Sequence, residues 1–137
     1  MAIHPRVSVN PMTTFSLAFE DTIAVWREIG AHTVGVNVMH LDAQGWDRSI
    51  ELLLGARQGD APLRVEYLNY GISSAVTDDA GWSETEAVLL RAVEAAHRLE
   101  APTFYFCTGP PGSLRWEDAV DLLGDRLSRV IAAARDA

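Results

Sequence analysis

Apolar and polar residues alternate along Arg6-Val7-Ser8-Val9-Asn10 until Pro11 ends the run, the period of a short strand. The period then lengthens. Between Ser16 and Gly30 the apolar positions Phe19, Ile23 and Trp26 share one helical face, and Gly30 is placed to stop the helix in a left-handed cap. Thr33-Val34-Gly35-Val36-Asn37-Val38 repeats the strand pattern, and Trp46, Ile50 and Leu53 mark a helix from about Asp42 to Arg57. A third strand is expected over Leu63-Arg64-Val65-Glu66-Tyr67-Leu68-Asn69. After a polar loop with Asp78, Asp79 and Gly81, Ser83-Glu84-Thr85-Glu86 reads as a capping box. It opens a helix that buries Val88, Ala92, Ala95 and Leu99. Pro102 separates that helix from a fourth strand, Thr103-Phe104-Tyr105-Phe106-Cys107. The loop Thr108-Gly109-Pro110-Pro111-Gly112 leads into a last helix striped by Trp116, Val120, Leu123, Leu127, Val130 and Ala134.

Strands separated by helices pair in parallel through right-handed crossovers. An open sheet with helices on both faces and a barrel wall with helices on one face both satisfy that rule. The strand faces favour the wall. Val7, Val9, Val34, Val36, Val38, Phe104 and Phe106 suit a helix-covered side, while Ser8, Asn10, Gly35, Asn37, Tyr105 and Cys107 leave the other side polar. The expected fold class is α/β: four sequential strand–helix units forming half of a (β/α)8 TIM barrel, with a parallel sheet. Residues 1–137 would make a single half-barrel domain with all helices on its convex side.

Composition narrows the function classes. The chain has 137 residues, 48% of them hydrophobic and 22% charged, enough for a core without disulfide staples. Apolar runs such as Ala87 to Leu90 are far too short to cross a bilayer, and no stretch reads as a signal peptide. Cys107 is the single cysteine, so no internal disulfide forms and a cytoplasmic setting is expected. A formal charge of −8 argues against nucleic acid as a partner. All eleven basic residues are arginine. Without a lysine, Schiff-base chemistry and a Walker-type phosphate loop are both excluded within this chain.

Several segments together resemble the first half of the xylose-isomerase-like TIM-barrel family of sugar phosphate isomerases and epimerases. They are Arg6-Val7-Ser8-Val9-Asn10, Trp26-Arg27-Glu28-Ile29-Gly30-Ala31, Val34-Gly35-Val36, Gly45-Trp46-Asp47, Thr108-Gly109-Pro110 and Leu114-Arg115-Trp116-Glu117-Asp118-Ala119. The resemblance implies a divalent metal (Mn, Co, Mg or Zn) and two glutamates that move a proton beside a sugar carbonyl. In the family those ligands come from the later strands, so no metal ligand and no catalytic residue carries over here. The chain would supply the substrate pocket for a sugar or sugar phosphate. Its completion would come from a C-terminal half-barrel partner, or from a second copy in a homodimer.

Barrel active sites lie at the C-terminal ends of the strands. That rule selects Asn10, Asn37, His40, Asn69 and Thr108 as substrate-binding candidates, with Trp116 as an apolar wall. Asparagines also cap turns, so Asn10 before Pro11 has a local reading of equal standing. His40 and Asp42 are too closely spaced for the family's metal pair, and Asp42 has a competing place as a helix cap. Glu66 is expected to pair with Arg64 on the same strand face. Cys107 is expected to be a mostly buried thiol. Two other classes stay open: a non-catalytic half-barrel that assembles with itself as a scaffold or binding module, and an open-sheet domain binding a small ligand at its strand ends. The chain alone is expected to bind no divalent ion tightly. Calorimetric titration with manganese, cobalt and zinc checks this, and a stoichiometric site of micromolar affinity would reinstate His40 and Asp42 as ligands.

Overall fold

The computed structural model describes residues 3, 4, 6–72 and 78–137. Four strands, β1 (Ser8–Val9), β2 (Thr33–Asn37), β3 (Arg64–Gly71) and β4 (Thr103–Cys107), form one parallel sheet in the order β1-β2-β3-β4. The helices are α1 (Phe19–Glu28), α2 (Val38–Gln44), α3 (Trp46–Ala56), α4 (Asp79–Arg98), α5 (Trp116–Arg126) and α6 (Ser128–Asp136), with a 3₁₀ turn over Pro11–Thr14. The sequential order is the one that the strand and helix periods predict.

Three helices depart from their expected form. The segment after β2 makes two helices, because α2 starts directly at Val38 and Gly45, at φ 90°, separates it from α3. Asp42 is therefore inside α2, where its carboxylate accepts from the Trp46 indole N–H at 3.1 Å instead of capping a helix. The expected capping box at Ser83 is not one. α4 begins at Asp79, with the Asp78 carboxylate accepting from the Gly81 N–H at 2.8 Å. Ser83 and Thr85 instead turn their hydroxyls back to the carbonyls of Asp79 and Gly81, four residues earlier, a common use of these residues within a helix. The last helix divides at Leu127 into α5 and α6, and its expected stripe is not sealed: Trp116 is 61% exposed and Val120 47%. Cys107 and Val7, expected inside, are exposed as well.

Packing separates the chain into two compact units. One comprises the chain up to Asn69 with Ala96–Tyr105, and the other comprises Tyr70–Ala95 with Phe106–Ala137. The first unit buries Phe19, Trp26, Val34, Val36, Leu41, Ile50, Leu53, Val65, Leu68 and Leu99. Arg98 reaches Asp47 at 3.4 Å and Glu51 at 2.8 Å, and Arg57 pairs with Glu100, fastening the end of α4 to α3. The second unit buries Ile72, Trp82, Leu89, Ala92, Val93, Ala119 and Val130. There Arg126 pairs with Asp79 at 3.2 Å and lies 5.4 Å from the Trp82 ring centre, while Arg129 pairs with Glu86 at 2.6 Å.

The pairing of β2 with β3 contains a bulge. Val34 faces Val65, but Gly35 faces Tyr67, so Glu66 is the extra residue. The bulge breaks strict alternation in β3. Val65 and Leu68, three apart, both enter the core, and Tyr67 shares a face with Gly35. The Tyr67 ring covers Gly35 so closely that a Cβ there would overlap it. Glycine is required by this approach, independent of any turn. Gly35→Ala is expected to destabilise the protein by about 1–3 kcal/mol, the usual cost of overpacking. In a Tyr67→Ala background the same change should cost well under half as much, read by urea denaturation of the four-member cycle.

Candidate functional site

In the first unit the strand ends carry three asparagines, and two already have local work. The exposed Asn10 accepts from the Met12 N–H at 2.9 Å and caps the 3₁₀ turn. Asn37, buried, accepts from the Met39 N–H at 2.8 Å and caps α2, while its amide nitrogen lies 3.5 Å from the Met12 sulfur. Each carboxamide satisfies a helix-end N–H that would otherwise lack an acceptor. Asn69 differs. It stands opposite Asn37 in the strand register, and its Oδ1 is buried with no hydrogen-bond partner among the described residues.

His40 does not lie at an open strand end. It projects from α2 into the core at 1% exposure. Its Nε2 donates to the Leu17 carbonyl at 2.9 Å, its ring stacks on Phe19 with centroids 4.1 Å apart, and Phe15 closes a second side at 5.3 Å. A histidine so enclosed ties the loop before α1 to α2. Nε2 of His40 is thus engaged by Leu17, and one carboxylate oxygen of Asp42 by Trp46. Among the described residues no three His, Cys, Asp or Glu side chains gather at metal-binding distance.

The second unit holds the other two candidates. Thr108 and Trp116 line one cavity of about 130 Å³ with Gly109, Pro110, Ala119 and Leu123. The Thr108 hydroxyl sits 3.4 Å from the Gly109 carbonyl, and the rest of the wall is almost wholly apolar. Trp116 opens α5, and just before it Arg115 grips the Asp118 carboxylate through Nε and Nη2, both at 3.0 Å. That hydrogen-bonded pair holds the Asp118 carboxyl below the usual carboxylate range. A cavity of this kind can take the apolar face of a small ring. Thr108 and Trp116 are thus brought together, as are Asn37 and Asn69; Asn10 and His40 are held by local contacts.

Sequence reasoning missed the tyrosine pair on the polar sheet face. Tyr67 and Tyr105 pack with ring centroids 5.4 Å apart at 41°. Alternation predicts the face of Tyr105 but misplaces Tyr67, because the bulge shifts the alternation of side chains after Glu66 by one residue. The expected Arg64–Glu66 ion pair is present at 2.7 Å.

No known family pattern matches the chain, and no protein of established description matches it in sequence. Among solved structures it is similar to protein SMc04130 from Sinorhizobium meliloti 1021, with a TM-score of 0.72 at 20% identity. The alignment takes in 95% of this chain but 46% of that one, so this chain spans about half the length of its structural relative. At that identity the likeness establishes the parallel α/β fold.

The Tyr67 phenol is pushed above its ordinary value, first by burial and then by Tyr105 beside it. The folded chain therefore holds this proton more tightly than the unfolded chain does. Stability is full below the ordinary tyrosine value of about 10 and falls as pH rises beyond it. Tyr67→Phe should flatten that alkaline decline, as measured by denaturant midpoints between pH 8 and pH 11.

Proposed function

We propose that this chain is the substrate-pocket half of a sugar or sugar-phosphate isomerase or epimerase, with the proton-transfer machinery carried by a second half-barrel. The observation that carries the reading is Asn69 near the end of β3, whose buried Oδ1 has no hydrogen-bond partner among the described residues and remains available to a hydroxyl. Carboxamides both donate and accept, which suits polyols. In the second unit, taken by itself, the apolar cavity beside Trp116 suits the apolar face of a small ring. The segment resemblance and the half-length alignment agree with a chain whose complement lies elsewhere. The complement would bring the divalent metal and the two glutamates, and the residues here would bind and orient the sugar.

A second reading, a non-catalytic half-barrel closing on another copy of itself, is favoured by β4. Thr103, Tyr105 and Cys107 along that strand are exposed, as they would be if a further element were to cover it.

The two readings separate in one experiment. The chain is assayed for aldose–ketose interconversion and epimerisation alone, and again with a polypeptide supplying the last four units of a longer barrel of this fold plus manganese. The pocket-half reading expects turnover only in the mixture, with Asn69→Ala lowering kcat/KM by about ten- to a hundred-fold through the loss of one hydrogen-bond partner. Turnover by the chain alone would overturn the assignment of chemistry to the second half. Light scattering on a dilution series supports the self-assembly reading if a dimer persists and the mixture stays inactive.

A further inference from the structure

A polar row crosses the N-terminal ends of three strands. Ser8 on β1 stands opposite Thr33 on β2, which stands opposite Arg64 on β3. Residues so opposed project to one face of a sheet. Arg6 and Glu66 complete the lining of an open cavity of about 310 Å³, within a single packed unit.

The bonding inside this cavity is incomplete. Arg64 gives Nη2 to the Glu66 Oε2 at 2.7 Å, which is its one side-chain bond among the described residues. The Arg6 guanidinium has no acceptor among the described residues. The Thr33 hydroxyl donates to the Val7 carbonyl at 3.0 Å. The Ser8 hydroxyl is buried with no partner among the described residues, and a buried hydroxyl is ordinarily satisfied by protein, water or ligand. Two guanidiniums against one carboxylate leave a local excess of positive charge in a chain of formal charge −8.

Guanidinium forks match the geometry of oxyanions and bind them by charge-assisted hydrogen bonds. Glu66 then decides which oxyanion. A fully deprotonated anion leaves this carboxylate facing negative charge with no donor, whereas an anion bearing one O–H group can donate to it. A phosphate group near neutral pH retains such a proton in part of its population, because its second ionisation falls close by. Sulfate does not.

We propose that this cavity binds a phosphate group in its monoprotonated form. Arg6 and the free edge of Arg64 hold the anionic oxygens, the Ser8 hydroxyl donates to a third, and the Glu66 carboxylate accepts the P–O–H proton as a hydrogen bond. The site lies at the strand starts and is independent of the isomerase reading, which rests on the strand ends. Its test needs no turnover.

The full chain is titrated at pH 6.5 with inorganic phosphate, with glycerol phosphate and with sulfate, followed by amide chemical shifts of Ser8, Thr33 and Arg64. Saturable shifts are expected with either phosphate, at an affinity about ten-fold or more above sulfate. Arg6→Ala and Ser8→Ala should each weaken phosphate binding several-fold, with circular dichroism confirming that both variants fold. Glu66→Gln should bring phosphate and sulfate to nearly equal affinity. If Arg6→Ala fails to fold, Arg6→Gln reads the same loss of charge. Preference for the ester over free phosphate would identify a phosphorylated metabolite as the ligand, and the reverse would identify the free ion. Absence of saturation with both, equal binding of sulfate by the native chain, or indifference to the Arg6 substitution overturns the site.

Discussion

The Tyr67 ring lying over Gly35 sets the geometry of the sheet's centre. With a methyl group at residue 35, ring and strand could not occupy their present positions. The contact goes with the bulge at Glu66, which rotates β3 by one residue and puts Tyr67 on Gly35's side. The same rotation sends Leu68 into the core, where it lies with Val65 and Val36 at 2% exposure or less. Glu66 itself stays on the polar face next to Arg64, where the two pair. A single inserted residue thus determines the apolar side of β3 beyond it and the tyrosine pair.

The polar groups near the strand ends divide into structural and available. Asn10 and Asn37 spend their carbonyl oxygens on the N–H groups of the turns that follow, so the strand-to-helix junctions are short and defined. His40 holds α2 to the loop before α1 and is sealed between aromatic rings. What remains for a ligand is smaller than the strand-end rule suggests: the Asn69 oxygen in one unit and the cavity of Thr108 and Trp116 in the other.

Arginine supplies every basic group, and its distribution is not uniform. Arg57, Arg98, Arg126 and Arg129 fasten helices to one another through exposed or partly exposed carboxylates, pairs that water screens and that add little stability. Arg64, on the sheet itself, and Arg6, just before β1, differ in lining one cavity beside a buried hydroxyl. In a chain of strongly negative formal charge, that placement concentrates positive potential where a small anion can reach it.

Periodicity alone determined the class of this protein, its four strands and their alternation with helical segments, because the spacing of apolar residues directly encodes which face each segment buries. It also determined the Arg64–Glu66 pair, a matter of two residues on one strand, and the glycine stop of α1, where Gly30 takes φ 74°. The tertiary structure decided the rest. A bulge is the choice of a neighbouring strand, so the positions of Tyr67 and Leu68 could not be read from β3 alone. Whether Asn37 caps, or His40 faces solvent, depended on where Met39 and Leu17 came to lie. The exposure of Trp116 and Cys107 depended on which surfaces the other elements cover, a property of the assembled chain that no local pattern of residues carries.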